Sequence, residues 1–171
     1  QAFMNRGSRR QSVRVTGVLP ERHNGIVEID KNLDAGRFIG MVSGDVVLGQ
    51  KLARDFGLKL RDKVRLVGPE GLTLNFSVAG IYTTGFGQVD DGQVFVTLRD
   101  GQSLLELGGS ISSFGIKLTD LYDAENVARR MAPALPRIEN CAGSGSRPEL
   151  SLIWPSRYQN RQSKSLPWRR T

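Results

Sequence analysis

Nucleophilic catalysis by a serine or a cysteine commonly uses a histidine base, and this sequence has one histidine and one cysteine. His23 stands in a polar, turn-like stretch, far from Cys141 in the sequence. Ser/His/Asp and Cys/His centres need a histidine base beside the nucleophile. A lone histidine in such a stretch is more typical of a protein surface. No catalytic residue is therefore assigned, and the sequence predicts that the protein is not an enzyme.

An acidic pair and a glycine pair could suggest a metal ion or a phosphate group. Asp90 and Asp91 are adjacent, but no histidine, cysteine or spaced carboxylate completes a coordination shell, and Asp-Asp-Gly before an apolar run favours a turn. Gly85-Phe86-Gly87 would need a glycine at position 90 to complete G-x-G-x-x-G, and G-x-x-x-x-G-K-[ST] does not occur. The sequence predicts no metal site, no nucleotide site and no other cofactor.

The formal net charge of +7 is concentrated at the two ends of the chain. Residues 1–14 contain Arg6, Arg9, Arg10 and Arg14 and no acidic residue, and residues 138–171 are also rich in basic residues. In residues 15–137, which lie between these two ends, the numbers of acidic and basic residues are nearly equal. Basic ends of this kind can contact nucleic acid or an anionic membrane without sequence specificity. They are more often simply solvated, so nucleic acid is not an expected partner.

The length of 171 residues fits one domain, or one domain with a tail. A single cysteine allows no intramolecular disulfide. No segment approaches the roughly 20 apolar residues that a membrane-spanning helix needs. The sequence does not begin with methionine, which suggests a piece of a longer protein.

The first half of the chain shows alternating and helical patterns. Apolar and polar residues alternate over Ser12–Val18, which predicts a strand. Ile26, Ile29 and Leu33 have helical spacing, so we expect one short helix ending at Gly36.

A short strand from Val46 and then a second helix, Gln50 to Phe56, are predicted. Leu48, Leu52 and Phe56 recur every four residues and share one helical face, while Lys51, Arg54 and Asp55 lie away from it; Gly57 marks the helix end.

The second half of the chain predicts a hairpin, a strand and further short elements. Alternation and the turn "GPEG" indicate a hairpin of 63–68 and 72–83, followed by a strand at 92–98. We then expect one or two helical turns from Arg99, and a strand whose apolar members are Ile111, Phe114, Ile116 and Leu118. A helix capped by Asp120 should run to Pro133. We expect these residues to be buried: Leu48, Leu52, Phe56, Val64, Leu66, Val78, Ile81, Val94 and Val96.

This order of elements is an α+β pattern with mixed small sheets, short helices and hairpins. After Arg137 no sustained period remains, and serine, arginine and proline dominate. We therefore divide the chain into a basic N-terminal flank (1–11), a core domain (12–137) and a disordered or aberrant tail (138–171). The residues from about Cys141 onward resemble an out-of-frame reading.

Three segments together resemble the extracytoplasmic domain of MacB/FtsX-type ABC transporter permeases, which include the LolC/LolE branch. They are "VVLGQKLARDFGLKLRDKVRLVG", "NFSVAGIYTTGFGQVDDGQVFVTLRDGQSLL" and "ISSFGIKLTDLYDAENVARRM". The resemblance covers roughly Val13 to Leu135 in the family's order. It implies a fold with porter-like and hairpin-rich subdomains.

The resemblance also implies a function. The family's domain lies between the first two membrane helices of a permease, has no catalytic centre, and transmits motion that ATP hydrolysis drives on a separate subunit, for export or lipoprotein release. The implied partners are an ABC-type ATPase subunit, a second permease subunit in a homo- or heterodimer, and a periplasmic protein. The implied location is the inner membrane, with this segment on the periplasmic side. The alternative is a stand-alone module whose basic ends contact nucleic acid or an anionic membrane.

The loop of the predicted hairpin departs from the family's pattern. In LolC-type members a longer, proline-containing loop between the two middle strands captures the lipoprotein chaperone. Here only Gly68 to Gly71 join the strands, which is too short for a hook. The sequence therefore favours an export-type permease, or the branch that lacks the hook.

Overall fold

The computed structural model describes residues 1–85, 87–113, 115–118, 126–127, 130 and 151–152. The chain divides into two compact units, Gln1–Ser112 and Ser113–Thr171. The strands of the described residues are β1 (Ala2–Arg6), β2 (Arg9–Val18), β3 (Leu33–Gly36), β4 (Asp45–Gly49), β5 (Lys63–Val67), β6 (Thr73–Tyr82), β7 (Gln93–Thr97), β8 (Gly115–Ile116) and β9 (Ser151–Leu152). The helices are α1 (Pro20–Val27), a 3-10 helix (Ile29–Asn32), α2 (Gln50–Asp55), α3 (Gly87–Gly92) and α4 (Leu98–Leu104).

Seven strands of the first unit form one mixed sheet that closes on itself. The strand order is β3-β6-β4-β7-β2-β1-β5, and β5 also pairs with β6. Six strands thus form a ring, with β3 added beside β6. The ten-residue β6 pairs with two strands in succession along one edge. Thr73–Ser77 pairs with β5, and the last residues of β6 pair with β3. The α+β prediction is confirmed; the strands expected in small mixed sheets form this sheet and the two-stranded pair β8–β9.

The interior of the ring is the main hydrophobic core. Eight of the nine residues predicted to be buried are buried there, and Ile81 is half-buried and packs against them. Their inward positions alternate with exposed ones along β5, where Val64 and Leu66 point inward and Lys63 and Arg65 are exposed.

A second core lies on the outer side of β4 and β7. Val47 and Phe95 are directly opposite each other in the β4–β7 ladder and point away from the ring interior, where their neighbours in sequence are packed. Helix α1, the 3-10 helix and the segment 38–41 cover them. The buried members are Val18, Ile29, Phe38, Met41, Val47, Tyr82 and Phe95. Strands β4 and β7 are therefore buried on both faces.

Several predicted elements are confirmed. Helix α2 begins at Gln50, with Leu52 and Phe56 buried and Lys51 exposed. Leu48, which the spacing assigns to the same helical face, lies instead in β4, because its backbone pairs with β6 and β7. The left-handed backbone of Gly57 (φ 59°) follows it, as expected for a helix end. The β5–β6 hairpin, β7 and α4 lie within two residues of their predicted positions.

The helix predicted from Ile26 to Gly36 is wrong. Helix α1 starts earlier, at Pro20, whose fixed φ suits the first helical position. It ends at Val27, and the next residue, Glu28, has a left-handed backbone (φ 55°). Leu33–Gly36 instead forms β3, because its backbone pairs with β6. Pairing with a distant strand thus overrode the local apolar spacing.

The strand predicted to begin at Ser12 begins at Arg9 and is preceded by β1. These two strands form a hairpin in which Ala2 faces Val13 and Asn5 faces Arg10. Only Ala2 and Met4 of β1 are buried, so the alternation is too short to stand out in the sequence. Residues 2–11, which the sequence places in a basic flank, are part of the closed sheet.

The second unit is described at few positions. Gly115–Ile116 pairs in parallel with Ser151–Leu152. Within the tail 138–171, the structure describes Ser151 and Leu152. Most of the strand expected at 111–118 is not regular strand, and Phe114 lies outside the described residues. The predicted helix from Asp120 to Pro133 also lies outside them, apart from three positions. None of the helices that the structure describes is both long and apolar enough to cross a membrane.

Candidate partner-binding surface

His23, expected on the surface in a polar turn, lies in α1 and is half-buried. Its ring centroid is 5.4 Å from that of Phe95 and 6.1 Å from that of Phe38. Burial lowers the pKa of the imidazole, because the charged form loses hydration. The prediction of a surface histidine is therefore wrong, and His23 belongs to the outer core.

The Asp-Asp-Gly turn is also wrong, since Asp90 and Asp91 lie in helix α3. Asp90 is buried, and its carboxylate accepts hydrogen bonds from the Thr84 N–H and hydroxyl, both 2.8 Å away, and from the Gly85 N–H at 3.1 Å. Asp91 is paired with Lys51, and this hydrogen bond raises the pKa of the lysine. Among the described residues, no group of three or more His, Cys, Asp or Glu side chains could hold a metal ion.

Two of the four N-terminal arginines are bound to the end of α2. The Arg6 guanidinium donates to the Phe56 carbonyl at 2.7 Å, to the Gly57 carbonyl and to the Asp62 carboxylate at 2.9 Å. Arg9 donates to the Asp55 carbonyl. Cations near a helix C-terminus satisfy the free carbonyls there. This part of the chain is therefore not a free basic arm.

The other two N-terminal arginines belong to a cationic sheet surface. Arg10 and Arg14 on β2, and Lys63 and Arg65 on β5, are exposed and point away from the ring interior. We call these four residues the basic face. In the hydrogen-bonded registers, one row across four strands consists of Arg10, Asn5, Arg65 and Asn75.

On β1, β2, β5 and β6, the outward positions beside the basic face carry no acidic residue. They are Phe3, Asn5, Ser12, Val67, Thr73, Asn75 and Ser77. Across β6, the row of Lys63 and Ser77 continues to Asp45, which accepts from Arg37. Arg10 and Arg65 are separated by one strand, so their backbones lie about 10 Å apart. Cations at this spacing add their potentials and attract an acidic surface.

An aromatic ring lies within this surface. The Arg10 guanidinium carbon stands 3.9 Å from the centroid of the Phe3 ring, which is a cation–π contact. Phe3 is 38% exposed, so the pair presents an apolar edge beside the charge. Arginine and aromatic side chains are enriched where proteins bind each other.

The distribution of charge along the sequence does not reveal this surface. Arg10 and Arg14 lie in the basic first 14 residues, whereas Lys63 and Arg65 lie in the middle of the chain, where acidic and basic residues nearly balance. The signal was present in "DKVRLVG", where cations alternate with buried Val64 and Leu66. The β1–β5 pairing places the two cationic pairs on one surface, and it joins residues 60 to 64 positions apart.

The loop of the β5–β6 hairpin is short, as its sequence requires. The Gly68 N–H donates to the Leu72 carbonyl at 2.8 Å, which closes the loop at its base. A side chain at Gly68 would lie 2.2 Å from the Leu104 carbonyl oxygen, so the loop base packs against the end of α4. No arm projects from this hairpin.

The sequence matches a known family along most of its length. Residues 2–134 match the family described as MacB-like periplasmic core domain. The chain belongs to this family. The resemblance to MacB/FtsX-type permease domains is thereby confirmed, and the match includes β1, which the resemblance had left out.

Curated relatives agree with this assignment. The chain is 26% identical over 148 residues to the lipoprotein-releasing system transmembrane protein LolC of Neisseria meningitidis serogroup B, covering 80% of this chain and 36% of that protein. It is 26% identical over 140 residues to the protein of the same name from Xylella fastidiosa strain 9a5c, covering 75% and 34%. The chain thus spans about a third of the length of these relatives. The expectation of an export-type permease, or of the branch that lacks the hook, stays a prediction.

Proposed function

We propose that this chain is the periplasmic part of an ABC transporter permease, and that it transmits ATP-driven motion for export or lipoprotein release across the envelope. The family match over residues 2–134 carries this proposal. The relatives named for lipoprotein release support it. The role is mechanical, not catalytic, and the permease would act with an ABC-type ATPase and a second permease subunit in the inner membrane.

The basic face supplies the contact to a periplasmic partner. A long hook is absent between β5 and β6, so docking must use the folded surface of the domain. On β1, β2 and β5 the basic face has no acidic outward neighbour, and Arg10 stands over the ring of Phe3. Arginine pairs with carboxylates through two parallel hydrogen bonds, which gives such a surface a preference for acidic protein partners.

Lipoprotein release from proteoliposomes tests this function. The complete permease that contains this segment is reconstituted with its ATPase and a lipoprotein, and released lipoprotein is measured with and without ATP and a periplasmic extract. We expect release to require both. The double variant Arg10→Gln and Arg65→Gln should lower release about tenfold, because each lost charge-assisted contact weakens docking.

Arg22→Gln is the matched control, since it removes an exposed charge from α1, which covers the other side of the sheet. It should leave release unchanged. Release that does not need ATP would reject the permease function. Release that needs ATP but is equal in the double variant and the control would reject the basic face alone.

A further inference from the structure

The surface loop 37–45 lies over the outer core and turns apolar side chains both inward and outward. Phe38 and Met41 are buried in the outer core, whereas Ile39 is 44% exposed and Val42 is 58% exposed. Two of the six large apolar side chains that are exposed among the described residues therefore stand on one loop. The buried pair fixes the loop from beneath, so Ile39 and Val42 are held outward.

A third exposed apolar side chain, that of Leu60, lies beside this loop. Leu60 is 39% exposed, and its Cδ2 stands only 2.8 Å from where a Cβ of Gly36 would be. Gly36 is followed by Arg37, the first residue of the loop. We call Ile39, Val42 and Leu60 the apolar patch. All three of its side chains are aliphatic.

Several polar groups of the loop are bonded within the chain. The Val42 N–H donates to the Asp45 carboxylate at 3.1 Å, and the Gly44 N–H donates to the Asp100 carboxylate at 2.9 Å. The Ser43 hydroxyl donates to the same Asp100 carboxylate at 2.6 Å. A polar group that already has a hydrogen-bond partner loses little when water leaves. The loop can therefore enter a poorly hydrated surface without leaving these groups unpaired.

The charges around the apolar patch leave an excess of cations. The carboxylates on segments 33–45 and 58–63 are all engaged: Asp34 accepts from the Thr83 hydroxyl, Asp45 from Arg37 at 3.2 Å and Asp62 from Arg6 at 2.9 Å. Lys59, Arg61 and Lys63 are exposed, and none of their side chains forms an ion pair with another described residue. The uncompensated charge beside Leu60 is therefore positive.

We propose that the apolar patch docks on an anionic lipid bilayer, with Ile39 and Val42 at the boundary between headgroups and acyl chains. Lys59 and Arg61 then stand against the headgroup phosphates. Apolar side chains and neighbouring cations both add to the affinity of a protein for such a surface. A protein partner fits less well, because hot spots between proteins are rich in tryptophan, tyrosine and arginine and poor in leucine and valine.

The contact orients the domain and does not anchor it. Even a single myristoyl chain gives only marginal, reversible membrane binding, and three short side chains bury less apolar surface than that. In a permease, the patch would therefore set the angle at which the domain stands on the bilayer. The inference rests on the proposed permease only for the presence of a membrane beside the domain.

Fluorescence from a single label tests the contact in the 171-residue chain. With Cys141→Ser as background, Val42→Cys carries an environment-sensitive fluorophore, and the vesicles contain phosphatidylcholine and phosphatidylglycerol in equal amounts. Ser8→Cys carries the same label as the control, because Ser8 is exposed in the turn between β1 and β2, next to Arg9 and Arg10.

Vesicles should raise the emission of the label at position 42 about threefold more than that of the label at position 8, since a label that enters the bilayer loses its water. Equal rises, or a larger rise at position 8, would overturn the proposal, because the N-terminal arginines would then account for binding. No rise at position 42 would also overturn it and would leave the patch to a protein partner.

Further substitutions in the labelled Val42→Cys chain test the apolar contribution. Ile39→Ser should weaken vesicle binding about fivefold, because it removes an apolar side chain that enters the bilayer. Leu19→Ser is the matched control, since Leu19 is 47% exposed and stands outside the patch, and it should leave binding unchanged. Equal effects of the two substitutions would overturn the proposal. If thermal melting shows Ile39→Ser to be unfolded, the comparison of positions 42 and 8 decides alone.

The cationic contribution is tested in the same chain. Lys59→Gln together with Arg61→Gln should weaken binding about tenfold, because two attractions to anionic headgroups are lost. Vesicles of phosphatidylcholine alone should bind both chains equally weakly. Binding that does not depend on phosphatidylglycerol or on these two cations would overturn the proposed anionic surface. None of these substitutions touches the basic face, so failure here leaves the proposed function standing.

Discussion

The two outer sides of the closed sheet differ in what lies on them. Outside β4 and β7, helix α1 and the segment 38–41 enclose a second core around Phe95. Outside β1 and β5, the described residues place no covering element, and the surface carries cations. One sheet thus has a covered side that stabilises the fold and an open side available for recognition.

The sequences of the strands show the same difference between the covered side and the open side. Strand β4 reads "VVL" and β7 reads "VFV", continuous apolar runs that are typical of strands buried on both faces. Strand β5 reads "KVRLV", in which polar and apolar residues alternate, as in a strand with one solvated face. Strand composition therefore predicts which side of a sheet carries a second layer.

Removing the ring of Phe95 should cause the largest loss of stability. Phe95 is 2% exposed and contacts His23, Phe38 and Tyr82. Phe95→Ala removes these contacts and leaves a cavity, so we expect the free energy of unfolding to fall by about 4 kcal/mol. Urea denaturation followed by circular dichroism measures this change.

Phe3→Ala is the matched substitution on the open side. Its ring is partly exposed and contacts Arg10, so the expected loss is below about 1 kcal/mol. A loss for Phe3→Ala equal to that for Phe95→Ala would contradict the distinction between the two sides.

A methyl group at Gly49 should cause the next largest effect. Gly49 joins β4 to α2, and a Cβ there would stand 2.2 Å from the Asp90 carbonyl oxygen. Gly49→Ala must push α3 away from the covered strand β4, which we expect to cost about 3 kcal/mol. Gly25→Ala, in α1 with open space around its Cβ position, should instead be neutral or stabilising by about 0.5 kcal/mol. Equal melting temperatures for the two variants would show that α3 is not packed as closely as described.

Replacing each of two adjacent carboxylates, Asp90 and Asp91, should change stability by a smaller amount. Asp90 is buried and accepts three hydrogen bonds, whereas Asp91 forms a partly exposed ion pair with Lys51. Asp90→Ala leaves three partly buried donors of Thr84 and Gly85 without their acceptor, so about 2 kcal/mol should be lost. Asp91→Ala should cost less than about 1 kcal/mol. Thermal melting of both variants measures the two losses of stability. A larger loss for Asp91→Ala than for Asp90→Ala would mean that the ion pair with Lys51 stabilises the fold more than the buried acceptor does.

Much of the fold could be predicted from local patterns. The β5–β6 hairpin, α2 and the buried residues of β5 and β7 follow from alternation and helical spacing over a few residues. The failures have one physical cause. Strand β3 and strand β1 are held by pairing with β6 and β5, and the propensity of a short segment contains no information about a distant partner.

The candidate site was harder to predict for the same reason. His23 stands in a polar stretch of the sequence, yet its ring lies beside two aromatic rings from other parts of the chain, those of Phe38 and Phe95. The basic face needs β2 and β5 on the two sides of β1, and no local spacing encodes that order. The family resemblance suggests the proposed function, while the closed sheet is needed to place the charges.

The covered side should also respond to pH, and this is the smallest expected effect. Burial lowers the pKa of His23 in the folded chain below its ordinary value near 6.5. The unfolded chain therefore binds a proton more readily, and stability is highest above pH 6.5 and falls as the pH drops below it. His23 is the chain's one histidine, so His23→Phe should flatten the stability profile between pH 7 and pH 5. Urea midpoints at several pH values measure the slope. An unchanged slope in His23→Phe would mean that carboxylates, and not the imidazole under α1, set the pH response, and the covered side would then be no more pH-sensitive than the open one.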